Sequence, residues 1–353
     1  MADTIGMAAH AGAQAVRLGF YLGLNRIVGW RSNAFRLKKT DGTDEQAGEK
    51  PRGPVPSQAE LLRDLVGVLM QDTAAVRDGI YPPMADEPSL PEQIARIRDM
   101  LADLPATVAR RNDRDATTAR TAADTGNLPD YFVQDFHFQT DGYLSDRSAR
   151  LYDLQVETLF YGAAGAMRRQ GLRPIAEYMH GRDQRGIHLL DVGCGTGRFL
   201  RAARLAYPAM KIAGLDLSHA YLNEARRHVR GLRPVELIAA NAEAIPLPDS
   251  SQDIVTSVFL FHELPPEVRR RVAAEMARVL KPGGLLVFID SLQMGDRPAY
   301  DGLLEMFPAR FHEPYYRHYA IDDLDRLFRD VGLVATGQST AFLSKMMVRQ
   351  KSV

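Results

Sequence analysis

The stretch Leu189-Leu190-Asp191-Val192-Gly193-Cys194-Gly195-Thr196-Gly197 is an apolar run that closes on a glycine-rich turn, with a helical pattern starting at Arg198. Glycines at such a turn let a ligand approach the backbone, and the helix start beyond it offers free amide donors to an anionic group. The spacing discriminates between ligands. A dinucleotide fingerprint G-x-G-x-x-G requires glycine at 198, where this chain has arginine. Asp216 closes the next apolar run, 25 residues after Asp191, where a carboxylate can accept hydrogen bonds from both hydroxyls of a ribose. It could instead cap the following helix, although Ser218 can serve that role itself. Asn241-Ala242 follows a third run, and an amide side chain with neighbouring backbone groups suits the edge of an adenine. A fourth run ends in Phe259-Leu260-Phe261-His262-Glu263. There His262 either takes a proton from a phenol, enol or acidic carbon, or caps the loop before Pro265 and Pro266.

Those residues need a frame that sets them side by side. From His188 onward, apolar runs at His188–Val192, 211–215, 235–239, 253–259 and 285–289 alternate with helical stretches, the pattern of a parallel sheet with helices on both faces. Residues 322–331 read as another helix, and 334–340 with 342–349 as a closing antiparallel hairpin. All the chemistry-bearing ends then fall on the carboxyl edge of one sheet, where open α/β folds bind ligands. Cys194, inside the glycine loop, reads as a small packing residue.

Upstream, residues 1–40 form a basic arm with six basic residues against one acidic. Phe20, Leu24 and Ile27 recur at helical spacing, so the arm packs on the body or lies on a membrane surface, although five glycines in the first thirty residues weaken a helix. Residues 41–56 read as a linker. Residues 57–130 read as a helical N-terminal region, with capping boxes Ser57/Glu60 and Ser89/Glu92 and a polar loop over 110–127. The third unit, 131–353, opens with a dense aromatic segment, 131–161, which reads as core or as a lid over a small-molecule pocket; a helix covers 145 to about 169. A second polar-aromatic cluster, Phe311 to Tyr319, fails as a zinc motif, because its two histidines are six apart with Pro314 between them. No metal site is expected, and this cluster, like His137 and Tyr143, reads as a pocket wall or as loop packing.

Asp191-Val192-Gly193-Cys194-Gly195-Thr196-Gly197, Leu215-Asp216-Leu217-Ser218, Asn241-Ala242-Glu243 and Arg278-Val279-Leu280-Lys281-Pro282-Gly283-Gly284 stand in an order and spacing that resembles the class I S-adenosylmethionine-dependent methyltransferases, especially the group containing the ubiquinone/menaquinone and sterol methyltransferases. The resemblance covers roughly residues 145–349 and does not extend to the first 130. It implies a Rossmann-like, seven-stranded, mostly parallel sheet with an N-terminal helical extension, and S-adenosylmethionine as cofactor. It also implies that Gly193, Gly195 and Gly197 hold the methionine part, Asp216 the ribose, and Asn241 with Ala242 the adenine, on which Leu217 packs. Asp191 and Phe259 join this cofactor-binding set. The sulfonium is already an activated methyl donor, so the protein has to align a nucleophile and remove a proton, and His262 and Glu263 stand where this fold commonly places catalytic groups. The Asp/Asn-Pro-Pro-aromatic motif of many N-methyltransferases is replaced by Phe261-His262-Glu263-Leu264, which points to O- or C-methylation of a small, largely apolar or lipid-like acceptor.

Composition sets the outer bounds. The chain has 353 residues, 44 basic and 44 acidic, with 45% hydrophobic residues and a single cysteine. Zero net charge removes the general drive toward nucleic acid, and none is expected as a partner; peripheral membrane contact through the basic arm stays open. One cysteine forbids an internal disulfide and fits a reducing compartment. With no secretory signal at the start, the expected place is the cytoplasm. Two other readings compete with an enzyme of this family: a cofactor-binding module that has lost catalysis, and a nicotinamide oxidoreductase, against which Arg198 argues.

Overall fold

The computed structural model describes residues 4–36, 51–83, 88–113, 115–119, 126 and 128–353. Most of the linker expected over 41–56, and part of the loop expected over 110–127, lie outside the described residues.

The second half of the chain builds one seven-stranded sheet in the order β3-β2-β1-β4-β5-β7-β6. Its strands are β1 (His188–Val192), β2 (Lys211–Asp216), β3 (Glu236–Ala239), β4 (Gln252–Val258), β5 (Leu280–Ser291), β6 (Leu333–Ala341) and β7 (Ser344–Lys351). β1 to β5 pair in parallel, and β7 runs antiparallel between β5 and β6. Alternation within single strands sends side chains to opposite faces, as the pleat requires. Leu190, Leu286 and Phe288 enter one core with Val272, Met276 and Phe328. Leu189, Val287 and Ile289 enter the other with Ile175, Phe199 and Leu200. Helices therefore cover both faces, and the Rossmann-like frame expected from the sequence is the one found.

The N-terminal region is helical: α1 (Thr4–Arg36), α2 (Gln58–Arg77) and α3 (Leu90–Asp113). α2 starts on the expected capping box, with Glu60 N donating to Ser57 Oγ at 3.2 Å and Ser57 N to Glu60 Oε2 at 2.8 Å. α3 continues to Asp113, so residues 110–113, expected as loop, are its last turn. Tertiary bonds hold that turn: Arg110 donates from Nε to Phe138 O at 3.0 Å and from Nη2 to Thr140 Oγ1 at 2.6 Å.

The single helix expected from 145 to about 169 is two, α4 (Asp146–Leu159) and α5 (Ala164–Arg169). Between them Tyr161 and Gly162 take left-handed backbone angles, φ 52° and 84°. The corner is dictated by α1, since a Cβ on Gly162 would stand 2.7 Å from the Tyr21 ring, and Arg17 Nε donates to Gly162 O at 2.7 Å. Glu157 then caps the new start, accepting from Ala164 N and Gly165 N. The remaining helices are α6 (Leu172–Met179), α7 (Arg198–Ala206), α8 (His219–His228), α9 (Pro266–Val279), α10 (Asp301–Arg310), α11 (Tyr316–Tyr319) and α12 (Leu324–Asp330).

One buried cluster fastens the N-terminal helices to the sheet domain. Asp72 of α2, with no exposed surface, accepts from Arg169 Nε at 2.7 Å, Gln14 Nε2 at 2.6 Å and Tyr81 Oη at 2.7 Å, and lies 2.7 Å from His10 Nε2. Burial alone would raise its pKa, but the Arg169 guanidinium and the bond to His10 hold it well below the usual carboxylate range. Among the described residues no helix is long and apolar enough to cross a membrane.

Candidate active site

β1, β2 and β4 end side by side, and the turns that follow them enclose a cleft of about 1050 Å³, its open mouth included. The glycine loop is drawn across the end of β2 by two bonds to Leu215 O, from Gly193 N at 2.8 Å and Cys194 N at 3.0 Å. Asp216 closes the turn, with Oδ2 accepting from Gly195 N and Oδ1 from Ser218 N, both at 2.8 Å. Ser218 caps α8 itself, its Oγ accepting from Tyr221 N at 3.2 Å, so Asp216 is not used up as a cap. Burial raises the Asp216 pKa, and the N–H groups of Ser218 and Gly195 oppose that rise.

The three loop glycines differ in role. Gly195 has φ 53° and nothing within 4 Å of where a Cβ would stand, so a ligand can lie against its backbone. A Cβ on Gly197 would instead come within 2.9 Å of Ala225, and Gly193 and Gly197 both take left-handed angles, φ 72° and 76°, that favour glycine.

Asp191, Gly193, Gly195, Asp216, Leu217, Asn241, Ala242 and Phe259 all line the cleft, and so does Glu263. Gly197 and His262 do not line it. Asp191 is 1% exposed and accepts from Thr256 Oγ1 at 2.6 Å; burial pushes its pKa up to about 7 against that bond, with Asp216 adding to the rise.

Several residues that shape the site escaped the motif reading. Asp153 of α4 is buried and accepts from Thr196 Oγ1 at 2.7 Å and Arg198 Nε at 2.8 Å, locking the glycine loop from outside the sheet. No spacing flags it, because at about 3.6 residues per turn Asp153 falls on the opposite side of the helix from the Leu151, Leu154 and Leu159 stripe. The aromatic segment divides between the two readings it allowed. Phe136 and Phe138 are buried, while Tyr131, Phe132, Phe136, Tyr143 and Tyr152 line the cleft. Tyr143 is central, stacked on Phe136 with centroids 5.0 Å apart and edge-on to Tyr221 at 5.2 Å.

A line of charged groups runs inward from the cleft. Glu263 Oε1 accepts from Tyr143 Oη at 2.5 Å and stands 3.6 Å from His262 Nε2. His262 Nδ1 lies 2.5 Å from Asp290 Oδ1, and Asp290 Oδ2 accepts from Phe261 N at 2.7 Å, so the backbone fixes the carboxylate that orients the imidazole. Burial would lower the His262 pKa, but Asp290 overrides it and raises it to about 9. Beside Glu263, His137 places Nε2 3.4 Å from Glu263 Oε1 and Nδ1 2.9 Å from Glu313 Oε1.

The fold and the cleft define a class of protein that binds its ligand at the carboxyl ends of a Rossmann-like sheet. Residues 189–284 match the family described as a methyltransferase domain. The demethylmenaquinone methyltransferase of Geobacillus sp. (strain WCH70) is 33% identical over 171 residues, covering 43% of this chain and 72% of that protein. That of Listeria welshimeri is 40% identical over 133 residues, 37% of this chain and 54% of that protein. The chain thus spans about half the length of the Listeria relatives it matches. Human N-acetylserotonin methyltransferase in complex with S-adenosylmethionine shares the fold, with TM-score 0.52 and 14% identity over 74% of this chain and 71% of that one. The chain belongs to the class I S-adenosylmethionine-dependent methyltransferases.

The residues present fit that cofactor. The open backbone at Gly195, the carboxylates of Asp191 and Asp216, and Asn241 at the end of β3 all border one cleft. The cofactor, when bound, would supply an activated methyl group, and these residues would hold it.

Proposed function

We propose that this chain transfers a methyl group from S-adenosylmethionine to oxygen or carbon of a small, largely apolar or lipid-like acceptor. The observation that carries the reading is the make-up of one cleft. The glycine loop, Asp191 and Asp216 line one end of it and would cradle the cofactor, while five aromatic side chains from residues 131–152 wall the same cavity with the carboxylate of Glu263. Apolar walls with few polar groups suit an aromatic or quinone-like acceptor, and two relatives carry the name demethylmenaquinone methyltransferase. Glu263, which borders the cleft, receives the acceptor's proton; His262, held by Asp290, stands behind it as a positioning partner. The test incubates methyl-labelled cofactor with purified protein and an extract of the source cells, then separates lipid, aqueous and macromolecular fractions. Label in the lipid or small-molecule fraction supports the reading. Label in macromolecules overturns the acceptor class, and no label anywhere leaves a binding module.

Two further results are expected from the cradle. Asp216→Ala weakens cofactor binding by about 1–3 kcal/mol, from lost hydrogen bonds to the ribose; an unchanged affinity in calorimetry places the ribose elsewhere. Asp191, raised to about 7, must be ionised to attract the cationic methionine end of the cofactor. Affinity is therefore full above that value and weakens as pH falls through it, by up to about tenfold per unit. Asp191→Asn loses this slope, and a slope that survives the substitution assigns it to another group.

α1 supports a peripheral membrane contact. Val16, Phe20, Ile27 and Trp30 recur at helical spacing on one face and are exposed, Val16 at 75% and Trp30 at 71%, with Arg26 and Arg31 beside them. Cosedimentation with anionic vesicles, retained by the full chain and lost in Trp30→Glu, tests it.

A further inference from the structure

We propose that His137, Glu263 and Glu313 bind one divalent transition-metal ion of the zinc or manganese class beside the acceptor end of the cleft. The three side chains come from segments far apart in sequence. His137 sits in the 3₁₀ turn Phe136–Phe138, Glu263 in the 3₁₀ turn Phe261–Glu263 after β4, and Glu313 in the loop between α10 and α11. A backbone bond from His137 N to His312 O at 3.1 Å clamps the first segment to the third. One donor atom from each side chain lies within 4.8 Å of the other two. An ion with bonds of about 2.0–2.2 Å needs its donors about 3–3.5 Å apart, so the side chains close on it by about an ångström, within the reach of rotamer adjustment.

The unused oxygens are the independent sign of a missing ligand. Glu313 is 3% exposed, and neither of its oxygens accepts a hydrogen bond; Glu263 Oε2 accepts none either. Glu313 Oε1 makes an ion-pair contact with His137 Nδ1 at 2.9 Å, so the oxygens with no partner of any kind are Glu313 Oε2 and Glu263 Oε2. Buried carboxylate oxygens with no donor are expensive, and natural structures rarely leave them. Among the described residues no lysine or arginine donates to Glu263 or Glu313. The charges around them are a third carboxylate, Asp290, and the two imidazoles.

The donor set names the ion. One imidazole with two carboxylates suits zinc, manganese, iron or cobalt in the divalent state; a site for soft ions would call for thiolates, and the one cysteine stands in the glycine loop. Three protein ligands leave a position open, as in metal sites that also take substrate. Held through Glu263 Oε2, the oxygen that accepts nothing, the ion leaves Oε1 for the proton role, and because Glu263 borders the cleft the open position is available to an oxygen of the acceptor. This last role rests on the proposed methyl transfer; binding of the ion does not. The histidine pair of the Phe311–Tyr319 cluster is not used: the imidazole comes from the aromatic segment, which no local spacing could reveal.

The test uses untagged full-length protein stripped with a chelator and dialysed. Calorimetric titration with Zn²⁺ and with Mn²⁺, and metal content by plasma mass spectrometry, should give one ion per chain. Glu313→Gln and His137→Gln should each weaken binding at least tenfold while S-adenosylmethionine affinity is retained. Stoichiometric binding that survives both substitutions, or no binding by the wild-type protein, overturns the site. Since a variant can misfold, Co²⁺ added to the wild-type chain gives a second readout: visible absorption saturating at one equivalent and displaced by Zn²⁺ supports the site, and its absence overturns it. A chain that binds the ion but transfers no methyl group overturns only the proposed function; one that transfers methyl without binding the ion overturns only the site.

Discussion

Replacing Glu263 by glutamine lowers turnover by about 10²–10⁴-fold, the range expected when a positioned proton acceptor is removed. The substitution keeps the shape and the Tyr143 contact and removes the charge. Cofactor affinity should hold within about threefold, because the cradle at Gly195 and Asp216 belongs to other strand ends. His262→Gln acts through Glu263 and should cost less, about ten- to a hundredfold in kcat with KM little changed, since the imidazole does not border the cleft. Steady-state kinetics on both variants separates the roles. Equal losses, or a larger loss at His262, would move the proton to the imidazole.

Asp72→Ala is expected to destabilise the folded chain by about 3–5 kcal/mol, the cost of leaving one partner of a buried ion pair unmatched. Arg169 would keep its charge at 4% exposure, and Gln14, His10 and Tyr81 would lose an acceptor together. Urea unfolding followed by circular dichroism measures the change, and a loss under about 1 kcal/mol would mean that water replaces the carboxylate. The sign with pH follows from the lowered pKa of Asp72. Its contribution is complete above the ordinary carboxylate range and is lost progressively as pH falls from that range through the depressed folded value.

What could be read from the sequence was what is local. The glycine loop, Asp216 and Asn241 each stand at or just past the end of a strand, so a strand pattern and a turn were enough to bring them to one edge. Glu263 and His262 are neighbours in sequence, yet only packing decides that one faces the cleft and the other stands behind it. Asp153, His137, Tyr143 and Glu313 reach the site through contacts between distant segments, and no spacing rule brings them there. The same cause explains the two helix corrections. α3 outruns its pattern because Phe138 and Thr140 hold its last turn, and the α4–α5 break exists because Tyr21 of α1 occupies the space a side chain at 162 would need.

The attachment of α2 also orders events in time. Its entry segment meets residues near the other end of the chain: Arg52 N donates to Glu305 Oε2 at 2.6 Å, Gly302 N to Pro54 O at 2.8 Å, and Arg297 Nη2 lies 2.8 Å from Asp64 Oδ2. Gly53 and Gly302 pack so closely that a Cβ on either would strike the other's backbone. Loop closure over such separations is slow, and a chain emerging from the ribosome makes its first helices long before residue 305 exists. The entry to α2 therefore completes its contacts only after residues 297–305 have been made, well after Asp72 of the same helix can already pair with Arg169.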